Sequence, residues 1–147
     1  REFPLEAPRI LLPPDLALTD LRGTALINRT NQGILIQVNL RAVLELECVR
    51  CLNLVVQPLQ THFTELYAFS RRYVTEAGLM MPETGIIDLT PVLREYMLLE
   101  IPFNPLCRPD CKGLCPVCGA NQNETTCQHE DEPGDPRLAA LKDLLDH

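Results

Sequence analysis

Lysine is scarce in this chain: only Lys112 and Lys142 occur among its 147 residues, and both lie in the second half. There is no clustered basic block of the kind that displaces counterions from a nucleic acid, which excludes a non-specific binder held by charge alone. The nearest approach, Arg71-Arg72, reads as an ordinary solvated pair. No apolar run comes near the roughly 18 residues a membrane-crossing helix needs. The start, Arg-Glu-Phe-Pro-Leu-Glu, has no basic patch followed by an apolar stretch, so a signal peptide is not expected. The missing initiator methionine leads us to expect a trimmed or processed chain. No Ser/His/Asp set, phosphate-cradling loop, pair of carboxylates in a credible pocket, or internal repeat can be found.

What remains is an ordinary globular composition, 46% hydrophobic and 22% charged, at a length suited to one domain. The net charge of −7 is unevenly placed. Residues 1–75 hold eight arginines against seven acids, whereas residues 76–147 hold five basic against thirteen acidic side chains. An acidic half suits either a basic partner or plain solubility.

The first half reads as β-structure. Residues 1–16 carry Pro4, Pro8, Pro13 and Pro14 without a clear period and suggest an extended lead-in or edge. Thr24–Thr30 reads as a short strand before the turn residues Asn31-Gln32-Gly33. From Ile34 to Cys48 the alternation is long: Ile34, Ile36, Val38, Leu40, Ala42, Leu44 and Leu46 share one phase, and Gln37, Asn39, Arg41, Glu45 and Glu47 the other. That length predicts a bend or bulge. A second run spans Leu52 to Phe69, with a phase change at Pro58 that suggests a bulge or an edge position. The two runs place Cys48-Val49-Arg50-Cys51 at a hairpin tip, and His62 reads as a half-exposed sheet residue. Residues 71–85 read as a loop. Apolar spacing at Leu89, Val92, Leu93, Tyr96 and Met97 predicts a helix over Leu89–Leu99, with Thr90 as N-cap, Pro91 in the first turn and Asp88 just outside. An acidic linker at 130–134 precedes a last expected helix from Pro136 to about Asp146.

Seven cysteines is an odd number, a poor fit to a closed disulfide framework, and five of them lie between 107 and 127. Clustering of this kind without an export signal reads as metal ligation. Cys115-Pro-Val-Cys118-Gly119 has the form of a zinc knuckle, with a glycine where the backbone must turn back toward sulfur. Zinc takes four ligands, and six donors fall within 23 residues. The expected set is Cys115, Cys118 and Cys127 with Cys111 fourth, ahead of its rivals Cys107 and His129. Four protein ligands close a site and make it structural. Glu124 reads as a solvated loop acid rather than the general base of an open zinc. Disulfides, a redox couple and an iron–sulfur cluster are the competing readings. Cys48 and Cys51 form a separate element: a half site completed by the later cluster, a redox dithiol, or two free thiols. A thioredoxin-like dithiol belongs between a strand and a helix, and here both neighbours read as strands.

Several of these residues together resemble the YceD family, the large ribosomal RNA subunit accumulation proteins of bacteria and plastids. The resemblance rests on Arg29-Thr30, Glu47-Cys48-Val-Arg50-Cys51-Leu52, Ile87-Asp88-Leu89, Arg94-Glu95, Leu98-Leu-Glu-Ile-Pro102, Cys111-Lys-Gly-Leu-Cys115-Pro-Val-Cys118-Gly119, Asn121, Asn123, Cys127 and Asp135-Pro136-Arg137. It covers roughly residues 20–145. It implies a role in large-subunit ribosomal RNA accumulation through processing, protection or early assembly, in a bacterial cytoplasm or plastid stroma. Many relatives end the cluster Cys-x-Cys where this chain has Cys127-Gln-His129, an exchange typical of zinc ligands that keeps His129 in contention.

The expected fold is α+β: an antiparallel sheet and packed helix over 1–104, with a cysteine-rich zinc segment and C-terminal helix over 105–147, as one compact unit. The expected activity is non-catalytic, with zinc as cofactor, no membrane, and no small-molecule substrate. The expected partner is a ribosomal RNA precursor or a basic large-subunit ribosomal protein. Arg29, Arg41 and Arg50 are the candidate RNA contacts, since the guanidinium fork suits phosphate. The alternative is a thiol redox or metal-handling protein using Cys48 and Cys51. A zinc-ribbon transcription module would want a basic surface that this chain lacks.

Overall fold

The computed structural model describes residues 1–129 and shows the α+β fold expected from the sequence: an antiparallel sheet, one helix on it, and a cysteine-rich lobe. Four strands follow one another in sequence and in space: β1 (Glu2–Leu12), β2 (Leu16–Arg29), β3 (Gly33–Glu47) and β4 (Leu54–Ala68). The helix α1 is Thr90–Leu99. The expected helix at 136–146 lies outside the described residues.

Parity along β3 sets the two faces. Ile36, Val38, Leu40, Ala42 and Leu44 are buried with Leu18, Leu21 and Ala25 of β2 and Leu59, Phe63 and Tyr67 of β4. Val92, Leu93 and Met97 of α1 close this core. Tyr96 stacks on Phe63 with ring centroids 4.3 Å apart, and its hydroxyl donates to Glu65 at 2.6 Å. The opposite face is open and polar at mid-sheet. Thr24, Asn39 and His62 form one row across three strands, and Arg22, Arg41 and Gln60 the next. His62 is exposed there.

The proline-bearing start is an edge, as one expectation had it: it forms strand β1, paired with β2 at Glu2–Ala7 and Arg9–Leu12. Other expectations change. The short strand expected at Thr24–Thr30 is the far half of the 14-residue β2. No bulge interrupts β3 against β4: the register runs unbroken from Gly33↔Ala68 to Glu47↔Leu54, with Pro58 opposite Val43. Proline is accommodated because β4 is an edge strand. The apparent phase change there is only apolar residues on the outer face, since Leu54 and Val56 are exposed. The irregularity lies in β2, between Thr19 and Arg22, where Asp20 adopts φ 48°.

At the start of α1, Thr90 is the first helical residue rather than the cap, and Leu89 at the cap position contributes no side-chain bond. The Asp88 carboxylate takes that role, accepting from the Thr90 amide at 2.9 Å. Bonds from the Thr90 hydroxyl and amide hold the Asp88 pKa below its ordinary value of 3.8. A depressed carboxylate contributes stability above its unfolded pKa and loses it as pH falls through the folded one. The stability gap between wild type and Asp88→Ala is therefore expected to be full at neutral pH and to close below about pH 4. Thermal melts from pH 7 to 3 check this, and a gap independent of pH would contradict it.

Candidate metal centres

The β3–β4 hairpin turns through Cys48-Val49-Arg50-Cys51, as its flanking strands predict. Beyond α1 the chain returns to this tip: the Val49 amide donates to the Pro105 carbonyl at 3.0 Å, and the Leu114 amide to the Arg50 carbonyl at 3.0 Å. Between those two anchors lie Cys107 and Cys111. Their sulfurs meet those of the hairpin, Cys48 to Cys111 at 3.8 Å and Cys51 to Cys107 at 3.5 Å. All four sulfurs lie within 4.8 Å of one another. Cys48, Cys51 and Cys111 are buried and Cys107 is exposed.

A second group forms further along. The sulfurs of Cys115, Cys118 and Cys127 and a ring nitrogen of His129 also lie within 4.8 Å of one another. Cys118 and Cys127 are 3.5 Å apart, and His129 Nε2 is 3.2 Å from Cys118 Sγ. Only Cys115 is buried here.

The set expected from the sequence is thus divided. Cys115, Cys118 and Cys127 come together, but their fourth neighbour is His129; Cys111 and Cys107 stand with the hairpin cysteines. The reason is the turn after Cys111. Gly113 has φ 81°, a conformation that favours glycine, and an added Cβ would sit 3.0 Å from the Arg50 carbonyl oxygen. This turn aims Cys111 back at the hairpin while Leu114 leads the chain away to Cys115.

The two CxxC turns share one local geometry. In the first, burial raises the Cys48 pKa, but amides of Cys107, Cys51 and Arg50 donating toward its sulfur outweigh this and bring it down to about 6. In the second, amides of Cys118 and Val117 do the same for Cys115, again to about 6. The residue after the second cysteine is left-handed in both, Leu52 at φ 60° and Gly119 at φ 71°. These backbone cradles stabilise a thiolate at the first cysteine of each turn. Neighbouring thiols then resist ionising: Cys107, though exposed as a residue, is pushed up to about 12 by partial desolvation of its sulfur and by Cys51, Cys111 and Cys48. Cys127 is pushed up to about 11 by Cys118, by burial and by Cys115. Four sulfur or nitrogen donors at this spacing suit a divalent cation, which removes that mutual repulsion.

Asn123 joins the two groups. Its Nδ2 donates to Cys111 Sγ at 3.3 Å, and its Oδ1 accepts from the Lys112 amide at 2.9 Å. Its own amide donates to Asn121 Oδ1 at 3.0 Å. Sequence reasoning assigned no role to this residue; its signal was an asparagine-rich stretch inside a cysteine cluster.

The three candidate RNA-contact arginines do not form a patch. Arg41 is on the open face, opposite Arg22. Arg29 pairs with Ile34 and so shares the covered face, where its guanidinium lies 5.5 Å from the Phe69 ring centroid. Along β3, Ile34 and Arg41 are roughly 23 Å apart at about 3.3 Å per residue. Arg50 is at the hairpin tip, its Nη1 donating to the Cys111 carbonyl at 2.8 Å.

Comparison with known proteins places this geometry in a family. Residues 36–145 match the family model described as large ribosomal RNA subunit accumulation protein YceD. The uncharacterised protein Rv2926c of Mycobacterium tuberculosis (strain ATCC 25618 / H37Rv) is 36% identical over 125 residues, 81% of this chain and 59% of that protein. YlbN of Bacillus subtilis (strain 168), also uncharacterised, is 33% identical over 102 residues, 68% of this chain and 59% of its own length. The chloroplastic large ribosomal RNA subunit accumulation protein YCED homolog 1 of Zea mays is 43% identical over 62 residues, 40% of this chain and 20% of that protein. The chain spans about three-fifths of the length of the mycobacterial and Bacillus relatives. No solved structure matches. The family model runs from Ile36, near the start of β3, across both cysteine groups, and the chain belongs to the YceD family.

Proposed function

We propose that this protein is a non-catalytic factor supporting accumulation of large-subunit ribosomal RNA, through processing, protection or early assembly of the precursor. The single observation that carries this reading is the family match over residues 36–145, which takes in the hairpin cysteines and the whole of the later cluster. Its compartment is a bacterial cytoplasm or a plastid stroma, in keeping with the bacterial and chloroplastic relatives. Among the described residues no helix is long and apolar enough to cross a membrane. The sheet with α1 and the cysteine segment act as one unit, held by the Val49 and Leu114 backbone bonds.

The cofactor is a structural zinc on Cys115, Cys118, Cys127 and His129. These donors are borderline-soft and four in number, so the ion is closed to substrate. A redox role for Cys48 and Cys51 is not favoured, because each faces a sulfur of the other segment and both are buried, whereas a reactive thiol needs access.

The partner is a ribosomal RNA precursor or a basic large-subunit ribosomal protein. For RNA the contact is the open face around Arg41, with Arg22, Asn39, Gln60 and His62. Like charges directly opposite each other, as Arg22 and Arg41 are, cost stability unless an anion lies between them. Asp20 accepts from Arg22 at 2.7 Å. Among the described residues no acid is paired with Arg41. Arg29, beside Phe69, and Arg50, with Nη1 on the Cys111 carbonyl, are exposed but lie away from this face and are separate candidates.

The test is depletion of the protein in the organism that encodes it, with large-subunit ribosomal RNA and its precursor quantified by northern blot. Large-subunit RNA is expected to fall relative to small-subunit RNA and to be restored by the wild-type chain. An unchanged ratio would overturn the proposal. Complementation with Arg41→Glu is expected to fail at normal protein levels, and full rescue would remove the open face as the RNA contact.

A further inference from the structure

Cys48, Cys51, Cys107 and Cys111 stand outside the zinc set just described, and their chemistry is distinct. For a tetrahedral zinc with Zn–S of about 2.3 Å, the sulfur-to-sulfur edge is about 3.8 Å. The separations of 3.8 and 3.5 Å match that edge, and every sulfur lies within 4.8 Å of the rest, close enough to share one ion. They are too long for disulfides, whose S–S bond is about 2.05 Å. An iron–sulfur cluster would interpose several atoms between its thiolates and spread them wider than this. We propose that these four sulfurs form a second, separate, all-thiolate zinc site, and that Asn123 positions Cys111 in it.

The surroundings are those of a thiolate centre. The Asn53 amide donates toward Cys51, and the Gly113 amide and Asn123 side chain toward Cys111. Val55, Leu106 and Leu114 pack around the sulfurs and keep water from most of the site. Arg50 fixes the peptide of Cys111 through its carbonyl. Each of the two chain segments contributes two ligands, so the ion ties the hairpin tip to the chain beyond α1. The other site ties the chain only to itself, within residues 115–129.

Asn123 couples the two sites. It lies in the loop between Cys118 and Cys127, and that loop is shaped by the Cys3His site. Its amide nitrogen nevertheless completes the shell around Cys111. Filling either site therefore favours filling the other by the same factor, through Asn123, whose Oδ1 also accepts from the Lys112 amide, and through the Gln122 amide, which donates to the Gly113 carbonyl at 2.9 Å.

The test is titration of the reduced, metal-free full chain with cobalt(II), read by its thiolate charge-transfer and ligand-field bands, followed by zinc displacement. Wild type is expected to take two equivalents. Cys118→Ser is expected to keep one, with an all-thiolate spectrum, and Cys48→Ser one with a mixed sulfur–nitrogen spectrum. A single equivalent lost in Cys48→Ser but kept in Cys118→Ser would support this site and remove the zinc proposed above. A single equivalent kept in Cys48→Ser and lost in Cys118→Ser would overturn it. Should Cys48→Ser lack the circular dichroism of the sheet, Cys107→Ser, altered at the exposed ligand, gives the same reading. Asn123→Ala is expected to retain two equivalents while weakening the all-thiolate site roughly 10–100-fold. Equal affinity in that variant would overturn the positioning role.

Discussion

Stripping metal from the zinc-loaded protein is expected to unfold residues 105–129 and loosen the hairpin tip while leaving the four-stranded sheet in place. Apart from cysteines, the lobe buries little: Leu106 and Leu114 are only half-buried, and Val117 is exposed. Its backbone bonds, such as Cys115 to Ala120 at 2.8 Å and Gly119 to Cys115 at 2.8 Å, close tight turns around sulfur rather than a ladder. Segments this poor in apolar contact do not repay their conformational entropy, which costs about 1–2 kcal/mol per residue for the backbone alone. A structural zinc contributes about 10–16 kcal/mol of apparent binding free energy in small zinc-finger peptides, comparable with the entire stability of a domain at about 5–15 kcal/mol. The ion is therefore expected to decide whether the lobe folds. Hydrogen exchange before and after treatment with a strong chelator under reducing conditions checks this. Protection should vanish at Leu114, Cys115, Gly119 and Gln122 and persist along β3. Unchanged protection in the lobe after complete removal of metal would mean that sulfur does not hold it together.

The sheet was legible in the sequence because period two survives wherever one face is buried. Ile36 through Leu44 alternate without a break, and the structure buries that phase. β1 was obscured because it is an edge, with Glu2, Phe3, Pro4 and Glu6 all exposed, so that burial imposed no strong period on it. At Pro58 the edge position was the expectation that held, and the bulge offered beside it did not. Leu54 and Val56, apolar but on the exposed face, look like a buried phase in the sequence.

The cysteines were legible as candidate metal donors but not as two groups. Proximity along the chain favoured Cys111 with Cys115, since only Lys112, Gly113 and Leu114 separate them. What divides them is a left-handed turn at Gly113 and a contact from Leu114 to a hairpin more than sixty residues earlier, and no local pattern records a contact of that range. Arithmetic offered a clue: seven cysteines and His129 make eight donors, two tetrahedra with none left over. Arg50 illustrates the same limit. Its place between two cysteines at a hairpin tip reads as an exposed phosphate contact, and nothing in the sequence signals that its Nη1 also holds the Cys111 carbonyl.

Met97→Ala is expected to cost about 2–5 kcal/mol, the range for removing a large buried side chain. Met97 is completely buried, and with Val92 and Leu93 it is how α1 covers the sheet. The strands beneath are fixed by an unbroken ladder, so they cannot close on the space left behind. The upper half of the range is therefore expected, a fall in melting temperature on the order of 10 °C for a chain of this size. Leu99→Ala, two residues on but 79% exposed, should change stability by no more than about 0.5 kcal/mol. The damage at Met97 should also reach the sulfurs. From the end of α1 the chain has only Glu100 to Leu106 in which to deliver Cys107, with Pro105 bonded to Val49 on the way. A helix that shifts on the sheet displaces that delivery, so zinc affinity of the all-thiolate site should fall in Met97→Ala while the Cys115–His129 site keeps its own. Competition titrations with a coloured chelator separate the two affinities. Equal losses at both sites would mean that the variant acts by general unfolding rather than through the seat of α1.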